Sequence, residues 1–372
     1  MKITNIEVIP VQMRFKKSYY TSYGIYRSEC VVVRMHTDEG VVGLGTGMTS
    51  PDIYAGTTVE MVATTIKNYL APLIIGEDPF NIEKIIFKLD KAMLGHNYAK
   101  QGIDLALHDI IGKSLGVPVY KLIGGIFTEK IPVCWSLSLG AIEETVKEAV
   151  EKVEKGIKCL KLKIGNDPKQ DIDCLRETRM AVGPNIKIRV DANGEYTADS
   201  AVRILKKMEE FNLQLIEQPV PAWDLEGMRK ISDALDTPVM ADESVVSPPD
   251  FLKVIEHRAA DILKISVPHH GGFYKAKQLA AIAKAAEIPI YAGGMIENGI
   301  GTAASGHFYT STSNVSYEGE FHFGPLKYEK DIVKNPENLV AKDGFFVVPK
   351  GPGLGVEIDE EMLARYRITL AF

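Results

Sequence analysis

Residues 158–165 read KCLKLKIG, with Leu160, Leu162 and Ile164 interleaved with Lys161 and Lys163. Successive side chains of a strand point to opposite faces, so the two lysines share one face and the three apolar residues share the other. Were the lysines solvated on the outside, the apolar residues would face the interior. In a parallel barrel the face under the helices must be apolar, which sends both ammonium groups inward. The neighbouring segments repeat the pattern. IPVCWSLSL, CLKLKI, IKIRVDA, LQLIEQP, PVMADES, DILKISV and IPIYAGG are short apolar runs separated by amphipathic helical stretches. Each return in the same direction needs a crossover helix, so these are parallel β/α units of an α/β barrel beginning near residue 126. Lys163, Asp191, Glu217 and Asp242 follow one another at intervals of 28, 26 and 25 positions. That interval matches one strand, loop and helix, since roughly 250 residues make eight units.

Residues 1 to about 125 read differently. ITNIEVIPVQM, CVVVRMHTDEG and VVGLGTGM are strand-like, the last two joined by a tight turn at Asp38-Glu39-Gly40, and three helical stretches follow. The last of these, AKQGIDLALHDIIGKSLG, ends at Gly116 with Pro118 just beyond. This is an α+β domain preceding the barrel. The chain of 372 residues is 45% hydrophobic and carries a net charge of −6, with no dense Lys/Arg tract, which argues against a nucleic-acid partner. Cys30, Cys134, Cys159 and Cys174 lie far apart and predict reduced thiols. The N-terminus has no signal-peptide pattern and no apolar run reaches the roughly 18 residues of a membrane span, so a cytoplasmic protein without membrane contact is expected.

Side chains at the carboxyl ends of parallel barrel strands converge on one mouth. Asp191 in VDANG, Glu217 in IEQP and Asp242 in ADES would meet there, and three carboxylates sharing a mouth need a cation. Oxygen-only ligation suits Mg²⁺. The alternative is that each carboxylate merely caps a helix or decorates a loop. Two adjacent ammonium groups near that cation lower the pKa of at least one lysine, which makes a general base for a weakly acidic C–H bond. Against this stands a purely structural pairing of the lysines with barrel carboxylates.

The ordered set KLKIG, VDANG, IEQP, ADES and GGMIENGIG resembles the muconate-lactonizing subgroup of the enolase superfamily. The resemblance extends over nearly the whole chain. GIDLALHDIIGKSLGVPVYKLIGG resembles the junction between capping domain and barrel, and GPLKYEKDIV with GPGLGVEIDEEMLARY resembles the C-terminal return. It implies a modified TIM barrel, (β/α)7β, over residues 126–350, an α+β capping domain over 1–125 and a C-terminal segment, 351–372, returning to the cap. It also implies Mg²⁺ held by Asp191, Glu217 and Asp242, with Lys163 as acid/base lysine and Lys161 tuning it. A mobile loop near residues 16–26 would close over a small-molecule carboxylate, with Tyr20 and Tyr23 as candidate contacts and ordinary surface tyrosines as the alternative. Asn193 is a further candidate contact, and a homo-oligomer is expected.

The chain departs from that pattern at one place. Members that racemise or epimerise have a second lysine on the sixth barrel strand, and the family spacing puts Ser266 there. Lys264 has the same inward parity, two residues earlier and roughly 6–7 Å down the strand, and either reaches the mouth or pairs with a barrel carboxylate. His269 and His270 follow as alternative acid/base groups or solvated loop histidines. Glu297 orients the lysine or a substrate amine, or else only favours the helix start behind it. The expected reaction is removal of the α-proton of a carboxylate through an enediolate, in a racemase, epimerase or cycloisomerase. A dehydratase-type lyase is the alternative; a non-catalytic metal-binding scaffold fits the lysine pair less well, and a phosphate-handling barrel would need a Gly-rich phosphate cradle with an adjacent Lys-Ser/Thr, which the sequence lacks.

Overall fold

The computed structural model describes residues 1–16, 20–21, 24–25, 28–49, 56–137, 140–321 and 324–370. The first part is a three-stranded antiparallel sheet in the order β1 (Ile3–Gln12), β4 (Glu29–Thr37), β5 (Val42–Met48), and the two-residue strands β2 (Tyr20–Thr21) and β3 (Gly24–Ile25) pair with each other in the chain segment that connects β1 to β4. The helix Asn97–Leu115 lies on β5 and is closed by left-handed Gly116, as expected from the glycine–proline stop. It is buried along most of its length. This close approach follows from Gly43, Gly45 and Gly47, which alternate on β5 and so face the helix together. A Cβ on Gly43 would lie 2.2 Å from Ala106 O, on Gly45 2.0 Å from Gly102 O, and on Gly47 2.9 Å from Tyr98 O.

After β6 (Ile131–Pro132) come seven parallel strands in one sheet: β7 (Cys134–Leu137), β8 (Cys159–Lys163), β9 (Lys187–Asp191), β10 (Leu213–Glu217), β11 (Val239–Ala241), β12 (Ile262–Ile265) and β13 (Ile290–Ala292). Helices separate them, and their starts follow the sequence. Asp167 with Pro168, Thr197 with Ser200, Asp224, and Asn298 each cap the backbone amides of the helix that follows. Residues 314–320 close the barrel. Gly319 bridges Val133 beside β7, and Val315 bridges Ile290 of β13, both in parallel sense. IPVCWSLSL is thus not one strand: Val133 interrupts it, and β6 pairs antiparallel with β14 (Phe345–Phe346).

The two parts are tied by polar contacts. Asp104, in the helix Asn97–Leu115, accepts the backbone amides of Phe273 and Tyr274 at the start of the helix Phe273–Ala285. Asn97 donates to the carbonyls of Val246 and His269, and Asn298 donates to Thr46 Oγ1. The carboxyl ends of the strands therefore lie beneath the first domain. At the other end of the chain, the helix Glu360–Tyr366 runs beside β1, where Arg367 bridges Val11 and Arg34 pairs with Glu360.

Candidate active site

Strand register brings the candidate residues level. Lys163 pairs with Asp191 between β8 and β9, and Asp191 pairs with Glu217 between β9 and β10. Glu217 pairs with Met240, so Asp242 stands two residues further on, just past β11. Leu160, Leu162 and Ile164 are buried on the outer face of β8, and Lys161 and Lys163 project inward. Lys161 Nζ lies 3.0 Å from Asp191 Oδ2, 3.0 Å from Glu217 Oε2 and 2.6 Å from Glu320 Oε2. Lys163 Nζ lies 2.6 Å from the same Asp191 oxygen and 2.7 Å from Asn193 Oδ1, and its side chain is 12% exposed against 2% for Lys161.

The two lysines therefore have different environments. Burial alone would lower the Lys161 pKa, but Asp191, Glu217 and Glu320 outweigh it and hold this lysine well above its ordinary value. The expectation that crowding of two ammonium groups depresses a lysine pKa does not hold for Lys161, because the carboxylates around it outnumber the cations. Asp191 is held far below the usual carboxylate range: burial opposes this, and Lys161, Lys163 and Lys264 overcome it. Glu217 goes the other way. Burial and the neighbouring Asp191 push it up to about 7 despite its two lysine partners.

Lys264 reaches the same cluster. Met240 pairs with Ile262, so Lys264 is level with Asp242, and its Nζ lies 2.8 Å from Glu217 Oε1 and 2.6 Å from Asp242 Oδ2. The stem thus reaches the mouth, and the carboxylates it pairs with there are two of the candidate metal ligands. Ser266 follows β12, fully buried, and its hydroxyl has no hydrogen-bond partner among the described residues. His269 and His270 are buried and not solvated. Burial, then the neighbouring imidazole of His270, pushes His269 down to about 3, so it is neutral at physiological pH. His270 is engaged by the carbonyls of Ser266 and Val245. Glu297 points toward the helix Gly299–Thr310, accepts from Ser305 Oγ, and is pushed by burial up to about 8. Tyr20 lies in β2, and Tyr23 falls outside the described residues.

Three residues of the cluster escape the sequence reading. Glu320, on the closing segment, accepts from Lys161 and from the Tyr291 hydroxyl. Glu243 accepts from Asn193 Nδ2 at 2.8 Å and so fixes the amide that holds Lys163. Gln218, with a positive φ of 35°, accepts the backbone amides of Asp242 and Ser244 through its side-chain oxygen and sets the turn that carries Asp242. IEQP and ADES contain Gln218 and Glu243, so adjacency to a strand-end carboxylate was the available signal. SYEGEFHF, which carries Glu320, has no apolar run to mark it as a strand.

Asp191, Glu217 and Asp242 supply only hard oxygen donors from three neighbouring strands, the chemistry that Mg²⁺ prefers. Glu217, pushed up by burial and by the carboxylates beside it, is a group that a divalent cation would return to the ionised form. The donor set fits such an ion. Among the described residues, however, no three His, Cys, Asp or Glu side chains form a ready-made metal cage, because the ammonium groups of Lys161 and Lys264 stand between the carboxylates.

Comparison with known proteins gives matches along nearly the whole chain. Residues 4–124 match the model of the mandelate racemase / muconate lactonizing enzyme N-terminal domain, and residues 144–362 match the enolase C-terminal domain-like model. The N-succinyl-L-Arg/Lys racemase of Bacillus cereus is 36% identical over 98% of this chain and 97% of its own length, and its crystal structure superposes with a TM-score of 0.95 over 99% of both chains. The chloromuconate cycloisomerase of Cupriavidus pinatubonensis is 33% identical over 93% of each chain. The dipeptide epimerase of Enterococcus faecalis, solved with Mg and the dipeptide L-Leu-L-Tyr, is 30% identical with a TM-score of 0.91 over 96% of this chain and 100% of that one.

Proposed function

The chain belongs to the mandelate racemase and muconate lactonizing enzyme family of the enolase superfamily, and from that premise we propose that Lys163 removes the α-proton of a small carboxylate substrate beside Mg²⁺ held by Asp191, Glu217 and Asp242. The position of Lys163 carries this reading. It alternates with buried neighbours on β8, yet its ammonium stands at the edge of the charged cluster, hydrogen-bonded to Asp191 and Asn193 and partly exposed. When bound, the cation supplies Lewis-acid stabilisation of negative charge on substrate oxygens. The protein's own groups do the rest. Lys163 takes the proton, Lys161 stays protonated and keeps Asp191 ionised, and Asn193, fixed by Glu243, aims the base. Substrate contacts from Tyr20 and Tyr23 remain part of the proposal.

Within the family's isomerases, the face opposite Lys163 favours chemistry that needs a single base. Lys264 lies two residues short of the family's second-lysine position, Ser266 at that position has no acidity of use near neutral pH, and His269 is neutral with a pKa near 3. Cycloisomerisation fits this better than two-base racemisation. The same serine favours, as a second reading, elimination from a hydroxy acid or hydroxy amino acid. A homo-oligomer and a cytoplasmic setting remain part of the proposal. No helix among the described residues is long and apolar enough to cross a membrane.

The test is proton NMR in D₂O with Mg²⁺ across N-acyl amino acids, dipeptides, muconolactones and hydroxy acids. A substrate should exchange or lose its α-proton, and Lys163→Ala should slow that step by about 10²–10⁴-fold. Wild-type exchange rates in Lys163→Ala would sink the assignment.

A further inference from the structure

Lys264 is a charged group of the site to which the proposed proton abstraction gives no role. Its side chain is 5% exposed, and its ammonium bonds one oxygen each of Glu217 and Asp242, at 2.8 and 2.6 Å. The stem lies in a trough built for it. A Cβ on Gly293, just past β13, would fall 2.4 Å from Lys264 Cε and 2.5 Å from Cγ, so a side chain there would expel the lysine. Lys161, by contrast, is anchored on the other side of Glu217 by Asp191 and Glu320.

We propose that Lys264 is a built-in competitor of the divalent cation: it bridges Glu217 and Asp242 when no metal is bound, and a metal ion gains those two ligands only by displacing it. The inference rests on the reading that Asp191, Glu217 and Asp242 are the metal ligands. A univalent ammonium and a divalent ion cannot occupy the same pair of buried carboxylates without strong repulsion, since screening by water is absent there. The lysine is tethered and therefore always present, whereas the metal comes from solution at finite concentration. Competition thus weakens the apparent metal affinity while it stabilises the metal-free fold. Lys264 acts through the ligands and is a positioning residue.

The experiment measures metal affinity directly, at fixed pH and ionic strength. Mn²⁺ is titrated into wild type, Lys264→Met, Lys264→Gln and Glu217→Gln, and free Mn²⁺ is read by electron paramagnetic resonance. Lys264→Met and Lys264→Gln are expected to bind Mn²⁺ at least tenfold more tightly than wild type, and Mn²⁺ should raise their melting temperatures more than it raises that of wild type. A lysine with only a structural role would lower the melting temperature and leave the affinity unchanged. Should Lys264→Met fail to fold without metal, Lys264→Gln, which keeps a hydrogen-bond donor at the site, decides. Equal or weaker Mn²⁺ binding in the folded Lys264 variants, with binding lost in Glu217→Gln, overturns the competition and leaves the metal reading standing. Absence of Mn²⁺ binding from wild type and both Lys264 variants overturns the metal reading and the competition with it.

Discussion

At Lys161 one ammonium faces three carboxylates inside the barrel, and its removal would leave Asp191, Glu217 and Glu320 with one shared cation fewer. Taking away one partner of a buried ion pair costs about 3–5 kcal/mol, because the remaining charge keeps its desolvation penalty. Lys161→Met should therefore lower stability by about that amount in urea denaturation. It should also move the pH–rate profile of α-proton exchange to higher pH, since a positive charge close to the base has gone. An active Lys161→Met enzyme with the wild-type profile would rule out the tuning role. Glu217→Gln should weaken Mg²⁺ binding and exchange together, by calorimetry and NMR, and activity that survives full chelation in wild type and variant would refute the metal assignment. Parity along KLK was enough to tell which way both lysines point, because alternation fixes the face. It could not tell how far Lys264 reaches or what surrounds Lys161. Those depend on register between strands and on Glu320, which lies more than a hundred residues beyond β8 and more than fifty beyond β12.

Among the elements, β5 and the helix Asn97–Leu115 show how a sequence can state a contact indirectly. VVGLGTGM alternates like any strand, but its glycines at 43, 45 and 47 fall on one face, and that face meets the helix backbone. Gly45→Ala would put a methyl group 2.0 Å from Gly102 O, which is backbone and cannot rotate away. We expect a loss of about 1–3 kcal/mol or more by chemical denaturation, as in an overpacked core. Gly140→Ala, whose Cβ would meet only the Glu144 side chain at 3.8 Å, should stay within about 0.5 kcal/mol of wild type; equal losses in the two variants would refute the contact argument. The parallel strands were legible from their apolar runs and strand-end carboxylates. The closing segment 314–320 was not, since its hydrogen bonds run to both barrel edges without a hydrophobic pattern of its own. Asp104, read only as part of a helix, was also invisible as the acceptor that joins the first domain to the barrel.

For the molecule as a whole, buried acids make stability depend on pH in two opposite directions. Asp191 and Asp242 are held low by lysines against the effect of burial, so the stability they contribute is present above the ordinary carboxylate pKa and is lost as acid protonates them. Glu297 does the reverse. It sits where the loop after β13, the helix Gly299–Thr310 and Thr46 of the first domain meet, fully buried, with Oε2 lacking a hydrogen-bond partner among the described residues. Burial raises it from 4.5 to about 8, so between those values the native state holds a proton that the unfolded chain has released. The unfolded state then binds fewer protons, and stability falls as pH rises through that window. The full difference amounts to at most about 5 kcal/mol above pH 8. Glu297→Gln keeps the shape of the neutral acid and removes the titration. The variant should match wild type near pH 5 and become progressively more stable than wild type up to pH 9, with urea midpoints measured in parallel at each pH. Comparing the two proteins isolates this group from the lysine-bound carboxylates, which titrate alike in both. A constant stability difference across the range would mean that Glu297 is ionised in the native fold and has a cationic or donor partner at its second oxygen.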